Sequence, residues 1–455
     1  MTPEQIQILE LKAINTSLSQ QVVDLLSKVS ELEAELSLYR VKKDSTNSSV
    51  PPSQDPHRVR RTESLRKPSG RKPGGQPGHI GSCLEMSANP DHVVLHTPGF
   101  CTCCGMDLSD LEVELIGKRQ VIDIPMVKPI VTEHQVYAKR CGCGQLVESD
   151  YPADAHSPVC YGANTQALTA YLHARQYVPF ERMREMYRDV FSLSISSGSL
   201  VGLVKSFADK SRFVYDEILN RVSMSSVVGA DETGCRINGK NCWAWVFQTP
   251  KTTYIHVDKS RGKKAIDTVF PDGLPKAILV HDCWSSYFNV ETRGHQICTA
   301  HLLRELKYID KIYPEQQWSC DFTTLLERAL ELEKTENCSD YVEQRSALEE
   351  QIDGLLGLSV DVKHKKLVAF KERIAKYRNH LLPFLYHHDV PPDNNASERA
   401  IRNFKVKQKV SGLFRAECGA KSFATIRSVI DTTIKNGKNV WEALALIPVT
   451  SIRDG

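Results

Sequence analysis

The sequence predicts a multidomain α+β protein that combines long helices, a small cysteine-rich module and one mixed β-sheet. Three observations predict this class. Apolar residues recur every seven positions over residues 1–40, cysteines adjoin glycines twice within residues 95–160, and apolar runs alternate with a helical pattern over residues 223–301. At 455 residues the chain is long enough for about three domains, each with its own core.

The composition is that of an ordinary soluble protein, with 41% apolar and 25% charged residues. No apolar run approaches the roughly 18 residues of a membrane span, and the N-terminus lacks the basic and apolar regions of a secretory signal. We therefore expect a cytoplasmic protein with no membrane partner. In that compartment its 14 cysteines are thiols or metal ligands rather than disulfides.

The positive charge is concentrated in two blocks, although the formal net charge is only +3. Residues 41–80 carry nine Lys/Arg against three Asp/Glu, and residues 399–438 carry ten against two. Such clusters suit a polyanion, because each neutralised phosphate releases counterions. The alternative for each block is a solvated basic surface.

Residues 1–40 are predicted to form a dimerising coiled-coil helix. β-branched residues at heptad position a with Leu at d favour a parallel two-stranded coil, and a polar residue at a, here Asn15, fixes its register. An amphipathic helix packed on its own protein is the alternative. The d positions are Leu11, Leu18, Leu25, Leu32 and Tyr39, and the a positions are Ile8, Asn15, Val22, Val29 and Leu36.

Residues 41–94 are predicted to be a disordered basic arm, because Ser, Pro and Gly dominate and no large apolar cluster is present. Arg71 and Lys72 lie between glycines in a slender segment that a DNA minor groove accepts. A flexible linker that happens to be basic fits the same composition.

Residues 95–160 are predicted to be a zinc-binding ribbon. Cys101 and Cys104 form a C-x-x-C-Gly knuckle, whereas Cys141 and Cys143 form only C-x-C-Gly. We expect these four cysteines to hold one structural Zn²⁺, with Cys103 as an alternative ligand. The apolar patterns between the two halves predict strands at Val113–Ile116, Gln120–Ile124 and Gln135–Ala138.

Residues 161–222 are predicted to be a helical DNA-binding block. Apolar periodicity covers Thr165–Arg175, Phe180–Val190 and Ser199–Phe207, and Ser196 or Ser197 can cap the last helix. Two of these helices could form a helix-turn-helix that places one helix in a major groove. Plain helical packing fits the pattern equally well.

Residues 223–301 contain strands whose order is informative. Two of the strands, one running into Asp231 and one ending at Asp282, finish in carboxylates. Three hairpin-like antiparallel strands are followed by a helical crossover to two parallel strands, which is the order of an RNase H-like fold. In that fold the ends of the first and fourth strands are neighbours, so these two carboxylates should meet. Two close carboxylates require a cation, and Mg²⁺ prefers such ligands.

A third ligand is predicted from residues 391–455, which form the second part of the catalytic core with C-terminal helices. Two prolines stop the preceding chain, and a new helix carries Glu398, Arg402 and Lys405 on one face. We expect Glu398 to complete the metal site, although an exposed Glu398 paired with Arg402 is the alternative. Residues 302–390 are predicted to be a helical insertion that forms part of a DNA channel or covers the sheet edge.

Several side chains near these carboxylates are candidates for auxiliary roles. His301 and Arg304 follow the fifth strand and could position a phosphate or water, although a structural histidine fits equally. Trp243, Trp245 and Trp284 are expected in the core or at its rim, where Trp284 is close enough to a metal ligand to touch DNA. The predicted DNA contacts are Arg71, Lys72, Arg399, Arg402, Lys405 and Lys409.

Nine ordered motifs make the chain resemble the insertion-sequence-66 family of transposases over nearly its full length. They are a leucine-rich start, NSSVPPSQD, GRKPGGQPGH, CxxCG, ADETG, NGKNCWAWVF, HDCWSSY, CTAHLLREL and DNNASERAIR. The C-x-C at residues 141–143 departs from the expected second C-x-x-C.

The resemblance implies a bacterial, nucleoid-associated enzyme of the DDE type with the triad Asp231, Asp282 and Glu398. Two Mg²⁺ or Mn²⁺ ions would serve cleavage at element ends and joining to target DNA. The implied partners are double-stranded DNA, a second copy of the chain or a higher oligomer, and small accessory proteins of the same element. The rival interpretations are an RNase H-like nuclease or resolvase that does not join DNA, and a non-catalytic DNA-binding regulator.

Overall fold

The computed structural model describes residues 3–40, 78, 85–335 and 339–450. Contacts divide the chain into two units, one of residues 59–129 and one of residues 1–58 with 130–455. No helix among the described residues has the length and apolar character needed to cross a membrane. The predicted contacts Arg71 and Lys72 lie outside the described residues.

The first helix, α1, spans Pro3–Arg40, as the heptad pattern predicts. Its apolar stripe is exposed within the single chain, with Leu25 63% and Leu32 58% accessible. Glu35 accepts a 2.7 Å salt bridge from Lys365 near its C-terminal end. The helix is therefore present, and pairing with a second copy stays a prediction.

The unit of residues 59–129, where it is described, has little regular structure. The predicted strands Val113–Ile116 and Gln120–Ile124 are wrong, because neither forms strand pairing among the described residues. Their apolar side chains have no sheet to pack against, and Ile116 and Val121 are 96% and 93% exposed. In the larger unit, β1 (Ala138–Arg140) pairs antiparallel with β2 (Leu146–Glu148).

Four helices follow in the region predicted to be helical. They are α2 (Ala163–Ala170), which continues into a π-helical turn at Tyr171–Arg175, α3 (Phe180–Phe191), α4 (Ser197–Lys210) and α5 (Arg212–Ser223). Ser192 ends α3 in the left-handed conformation, and the Ser196 hydroxyl caps α4 by accepting the Ser199 N–H at 3.0 Å. Helices α2, α4 and α5 share one apolar cluster with the sheet, and α3 contacts it through Phe180, so this block is packed onto the core.

The central sheet has five strands in the order β5-β4-β3-β6-β7. The first three strands are antiparallel, and β6 and β7 then run parallel to β3, so the predicted strand order is confirmed. The strands are β3 (Val227–Ile237), β4 (Lys240–Gln248), β5 (Thr253–Asp258), β6 (Leu274–His281) and β7 (Thr292–Ile297).

The remaining helices pack on the sheet or on one another. A second apolar cluster joins β3, β6 and β7 to the predicted insertion, and its members include Ile278, Val280 and Leu326. The helices are α6 (Lys263–Val269), α7 (Thr299–Ile312), α8 (Trp318–Glu333), α9 (Tyr341–Gly357), α10 (Lys365–Lys376), α11 (Asn395–Ser411), α12 (Glu417–Lys435) and α13 (Val440–Thr450). The insertion reaches edge strand β7, where Gln296 donates to the Leu381 carbonyl at 3.1 Å.

Candidate metal and nucleic-acid site

Asp231 and Asp282 occupy equivalent positions on neighbouring parallel strands. Gly229 of β3 is in register with Val280 of β6, and each aspartate lies two residues further along its own strand direction. Side chains two residues apart lie on the same face, and adjacent strands are about 4.8 Å apart. The sheet thus brings together two carboxylates that are 51 positions apart in the sequence.

Burial makes this pair costly to ionise. Burial raises the pKa of Asp231 well above its usual range, and the charges of Glu232, Asp282 and Glu398 raise it further. Burial also raises the pKa of Asp282 to about 7. Asp282 Oδ1 is buried and has no hydrogen-bond partner among the described residues. A cation between the carboxylates would satisfy this oxygen and offset the repulsion.

Glu398 reaches this region because the start of α11 is fixed against β3. The Asn394 amide donates to the Ala230 carbonyl at 2.6 Å, and the Ser397 hydroxyl donates to Asn394 Oδ1 at 2.6 Å. Gly229 leaves the room for this approach, since a Cβ there would lie 2.5 Å from Ser397 Oγ. The residue after Ser397 is Glu398, which is therefore held close enough to Asp231 for its charge to raise the pKa of that aspartate.

The Glu398 carboxylate is held by cations on two helices. Arg304 Nη2 of α7 lies 2.9 Å from Oε1, and Arg402 Nη2 lies 3.4 Å from Oε2. His301 Nε2 is 3.6 Å from Oε1, and burial, aided by the charge of Arg304, lowers the pKa of His301 to about 4. The imidazole is thus neutral at pH 7. Among the described residues no three His, Cys, Asp or Glu side chains are gathered as a ready ligand set.

Glu232 is the site residue that sequence reasoning did not single out. Its side chain is only 3% exposed, accepts a 2.5 Å hydrogen bond from the Tyr287 hydroxyl, and forms a 3.0 Å salt bridge with Arg261. Its position beside Asp231 in an acidic pair is visible in the sequence. Its partners cannot be recognised from the sequence, because they come from segments 29 and 55 residues away.

The predicted DNA-contacting cations on α11 differ in their availability. Arg399, Arg402 and Lys409 are exposed. Lys405 is half-buried, and its ammonium donates to the Gly234 carbonyl at 2.5 Å, which ties α11 to β3.

The cysteine pairs form tight turns suited to thiolates, each within its own unit. In the unit of residues 59–129, Gly105 N–H donates to the Cys101 carbonyl at 2.9 Å, and backbone N–H groups of Cys104 and Cys103 lower the pKa of the Cys101 thiol. This is the turn of a zinc knuckle.

The second cysteine pair makes a turn that is one residue shorter. In the larger unit, Gly144 N–H donates to the Cys141 carbonyl at 2.8 Å, and hydrogen bonding from Cys143 lowers the pKa of the Cys141 thiol. Gly105 and Gly144 both have positive φ, at 76° and 95°. The C-x-C pair thus retains a turn around a favoured thiolate.

Comparison with known family models shows which family the chain belongs to. The model described as the transposase IS66 family matches residues 158–422, which include all three predicted carboxylates and more than half of the chain. The chain belongs to the IS66 transposase family. The family resemblance of the sequence motifs is thereby confirmed.

Two further family models cover the N-terminal third. The zinc-finger domain of IS66 transposases matches residues 98–144, the range that holds both cysteine pairs, and a family of unknown function matches residues 1–85. The chain is also 26% identical over 376 residues to the uncharacterized protein y4qI of Sinorhizobium fredii, covering 73% of this chain and 68% of the relative. As an IS66 transposase family member with its zinc-finger domain, the protein is a DNA-acting transposase.

Proposed function

We propose that the protein cuts the 3′ ends of its insertion element and joins them to target DNA, using Asp231, Asp282 and Glu398 as metal ligands. The observation that carries this proposal is the register of β3 and β6, which makes the two aspartates neighbours. The hydrogen bond from Asn394 at the start of α11 to β3 supports Glu398 as the third ligand. The strand order supports an RNase H-like core. The raised pKa values of both aspartates support a cation as their partner.

The protein groups have distinct tasks in this scheme. Two Mg²⁺ or Mn²⁺ ions, when bound, would stabilise the attacking and leaving oxygens of an in-line displacement. Asp231 and Asp282 supply oxygens from the rigid sheet, and Glu398 supplies its own from α11. Arg304 holds the Glu398 carboxylate in place from α7, and neutral His301 can orient a water or phosphate oxygen.

Two displacements complete the reaction at one site. In the first, water attacks the phosphorus at the element end, and its proton passes to solvent. The bond from phosphorus to the 3′-oxygen of the element strand breaks, and this oxygen takes up a proton to become the 3′-hydroxyl, while the phosphate stays on the 5′ end of the flanking strand. In the second, that hydroxyl attacks a target phosphodiester and displaces a target 3′-oxygen. Each step exchanges one P–O bond for another, so no oxidant or external energy source is needed.

DNA binding and assembly are assigned to the parts around this core. Exposed Arg399, Arg402 and Lys409 would bind phosphates beside the site, and Arg71 and Lys72 would enter a minor groove. The α3–turn–α4 unit is our candidate for a second DNA contact. We propose that α1 pairs with a second copy, because its apolar stripe is exposed in one chain. The four cysteines Cys101, Cys104, Cys141 and Cys143 would hold one Zn²⁺, supported by the zinc-finger family match.

The deciding experiment incubates the purified protein with labelled element ends, Mg²⁺ and a target plasmid. Joined products from the wild type, lost in Asp231→Asn, establish transposition. The matched control is Asp267→Asn, because Asp267 pairs with Lys263 on the surface of α6. Cleavage without joining identifies a nuclease or resolvase, and DNA binding without cleavage identifies a regulator; both outcomes overturn the proposal.

A further inference from the structure

Arg261 lies in the short loop between β5 and α6, and this loop is held rigidly. Ser260 N–H donates to Asp258 Oδ1 at 2.6 Å, and the Ser260 carbonyl accepts a 3.2 Å hydrogen bond from the indole of Trp245. Trp245 is fully buried in the sheet core. The backbone that carries Arg261 is therefore fixed relative to β4, which pairs with the strand that carries Asp231.

The guanidinium of Arg261 is held in one orientation by three side chains. Its Nε and Nη2 both donate to Glu232 Oε1, at 3.1 and 3.0 Å. Its carbon lies 4.7 Å from the ring centroid of Trp243 and 4.6 Å from that of Trp284. Since Tyr287 fixes the other oxygen of Glu232, the group is preorganised without any ligand.

One edge of this group remains available. Within the described residues Nη1 makes no hydrogen bond, and the side chain is 48% exposed. Because two indole rings already pack against the guanidinium, it is better placed to donate hydrogen bonds from its free edge than to stack on a nucleobase. A phosphate oxygen is the acceptor that suits a guanidinium edge of fixed geometry.

The location of this edge indicates which phosphates it can meet. Its anchor Glu232 follows Asp231 in the chain, and Trp284 comes two residues after Asp282. A DNA strand that delivers a phosphate to Asp231 and Asp282 therefore passes Arg261 with its neighbouring phosphates.

We propose that Arg261, oriented by Glu232, Trp243 and Trp284, binds a DNA phosphate that neighbours the scissile phosphate. This inference rests on the proposed function and adds a substrate-binding residue from outside the acidic triad. A phosphate contact of this kind aligns the strand for the in-line attack. Its loss should reduce cleavage about 10- to 100-fold, as expected for one charge-assisted hydrogen bond.

The test combines Arg261→Gln with DNA that carries a neutral methylphosphonate at one position at a time. In the wild type, one substitution beside the cleavage point should weaken binding and slow single-turnover cleavage. In Arg261→Gln the same substitution should cause no further loss, because the two changes remove one contact. Arg261→Lys retains the charge and should be intermediate. Arg293→Gln is the control, since Arg293 is exposed near the start of β7, away from the carboxylates.

Two outcomes would overturn the inference. In the first, the loss of binding and cleavage caused by Arg261→Gln adds in full to the loss caused by each methylphosphonate. In the second, a lowered melting temperature accounts for the whole loss of activity. Either result would mean that Arg261 only ties its loop to Glu232. If Arg261→Gln does not fold, Arg261→Lys serves in the same comparison. Binding measured in EDTA needs no cleavage, so the contact is decided even when the wild type cuts no DNA and the proposed function fails.

Discussion

Gly229 controls how closely α11 approaches the sheet, so its replacement by alanine should damage the site without touching a carboxylate. The added Cβ would lie 2.5 Å from Ser397 Oγ, 2.7 Å from Gln248 Nε2 and 3.0 Å from Asn394 Oδ1. Ordinary contact begins near 3.4 Å, so Ser397 must withdraw by about 0.9 Å. Its hydroxyl is buried and bonded to Asn394, which makes rotation away costly.

The displacement should pass directly to Glu398, the next residue of α11. Overpacking of this kind costs about 1–3 kcal/mol of stability, and a shift of about 1 Å in a catalytic group costs about 100-fold in rate. Single-turnover cleavage of element ends in Mg²⁺, with thermal unfolding alongside, measures both. Gly294→Ala on β7 is the matched control, because its Cβ would meet only Ile278 at 3.8 Å. Cleavage by Gly229→Ala within about twofold of wild type would refute the link between this approach and Glu398.

Three further predictions concern the two aspartates, a buried ion pair and the zinc knuckle. Without metal, the raised pKa values of Asp231 and Asp282 keep both protonated in the folded state above pH 4, so stability in EDTA should fall as the pH rises from about 4 to 7. Mg²⁺ should raise the melting temperature more at pH 8 than at pH 5, and the double Asn variant should lose both effects. Arg427→Met leaves the buried Asp431 carboxylate without its charged partner and should lower the free energy of unfolding in urea by about 3–5 kcal/mol. An unfolding midpoint close to that of the wild type would show that the ion pair is dispensable. Cys104→Ser should abolish the zinc content measured by elemental analysis. A zinc content equal to that of the wild type would exclude Cys104 as a ligand.

The sheet and its two aspartates could be predicted because the apolar runs and their order are visible in the sequence, and a parallel crossover sets β6 beside β3. The run before Asp282 marks the end of β6, but the predicted strand end at Asp231 is wrong. β3 continues to Ile237 because its second half pairs with β4. The start of α11 was equally readable from its two prolines. The structure adds that this helix contacts β3, and the close contact depends on Gly229 having no side chain.

What could not be predicted depends on contacts between distant segments. The role of Glu232 needs Tyr287 and Arg261 to arrive from other elements. The wrong strands between the cysteine pairs have apolar residues of high β propensity, and propensity without a pairing partner does not make a sheet. The helices before β3 have amphipathic spacing in the sequence. This spacing predicts that each helix buries one face, but it does not indicate that the sheet covers that face.

The contact between α11 and β3 joins residues 164 positions apart, as the bond from Asn394 to the Ala230 carbonyl shows. During synthesis the nascent chain therefore carries both aspartates long before the ribosome delivers Glu398. A product that terminates within the insertion would keep the N-terminal zinc-finger region and α1 while lacking a cutting centre. If α1 pairs copies as proposed, such fragments would assemble with full-length chains and restrain the element's own spread.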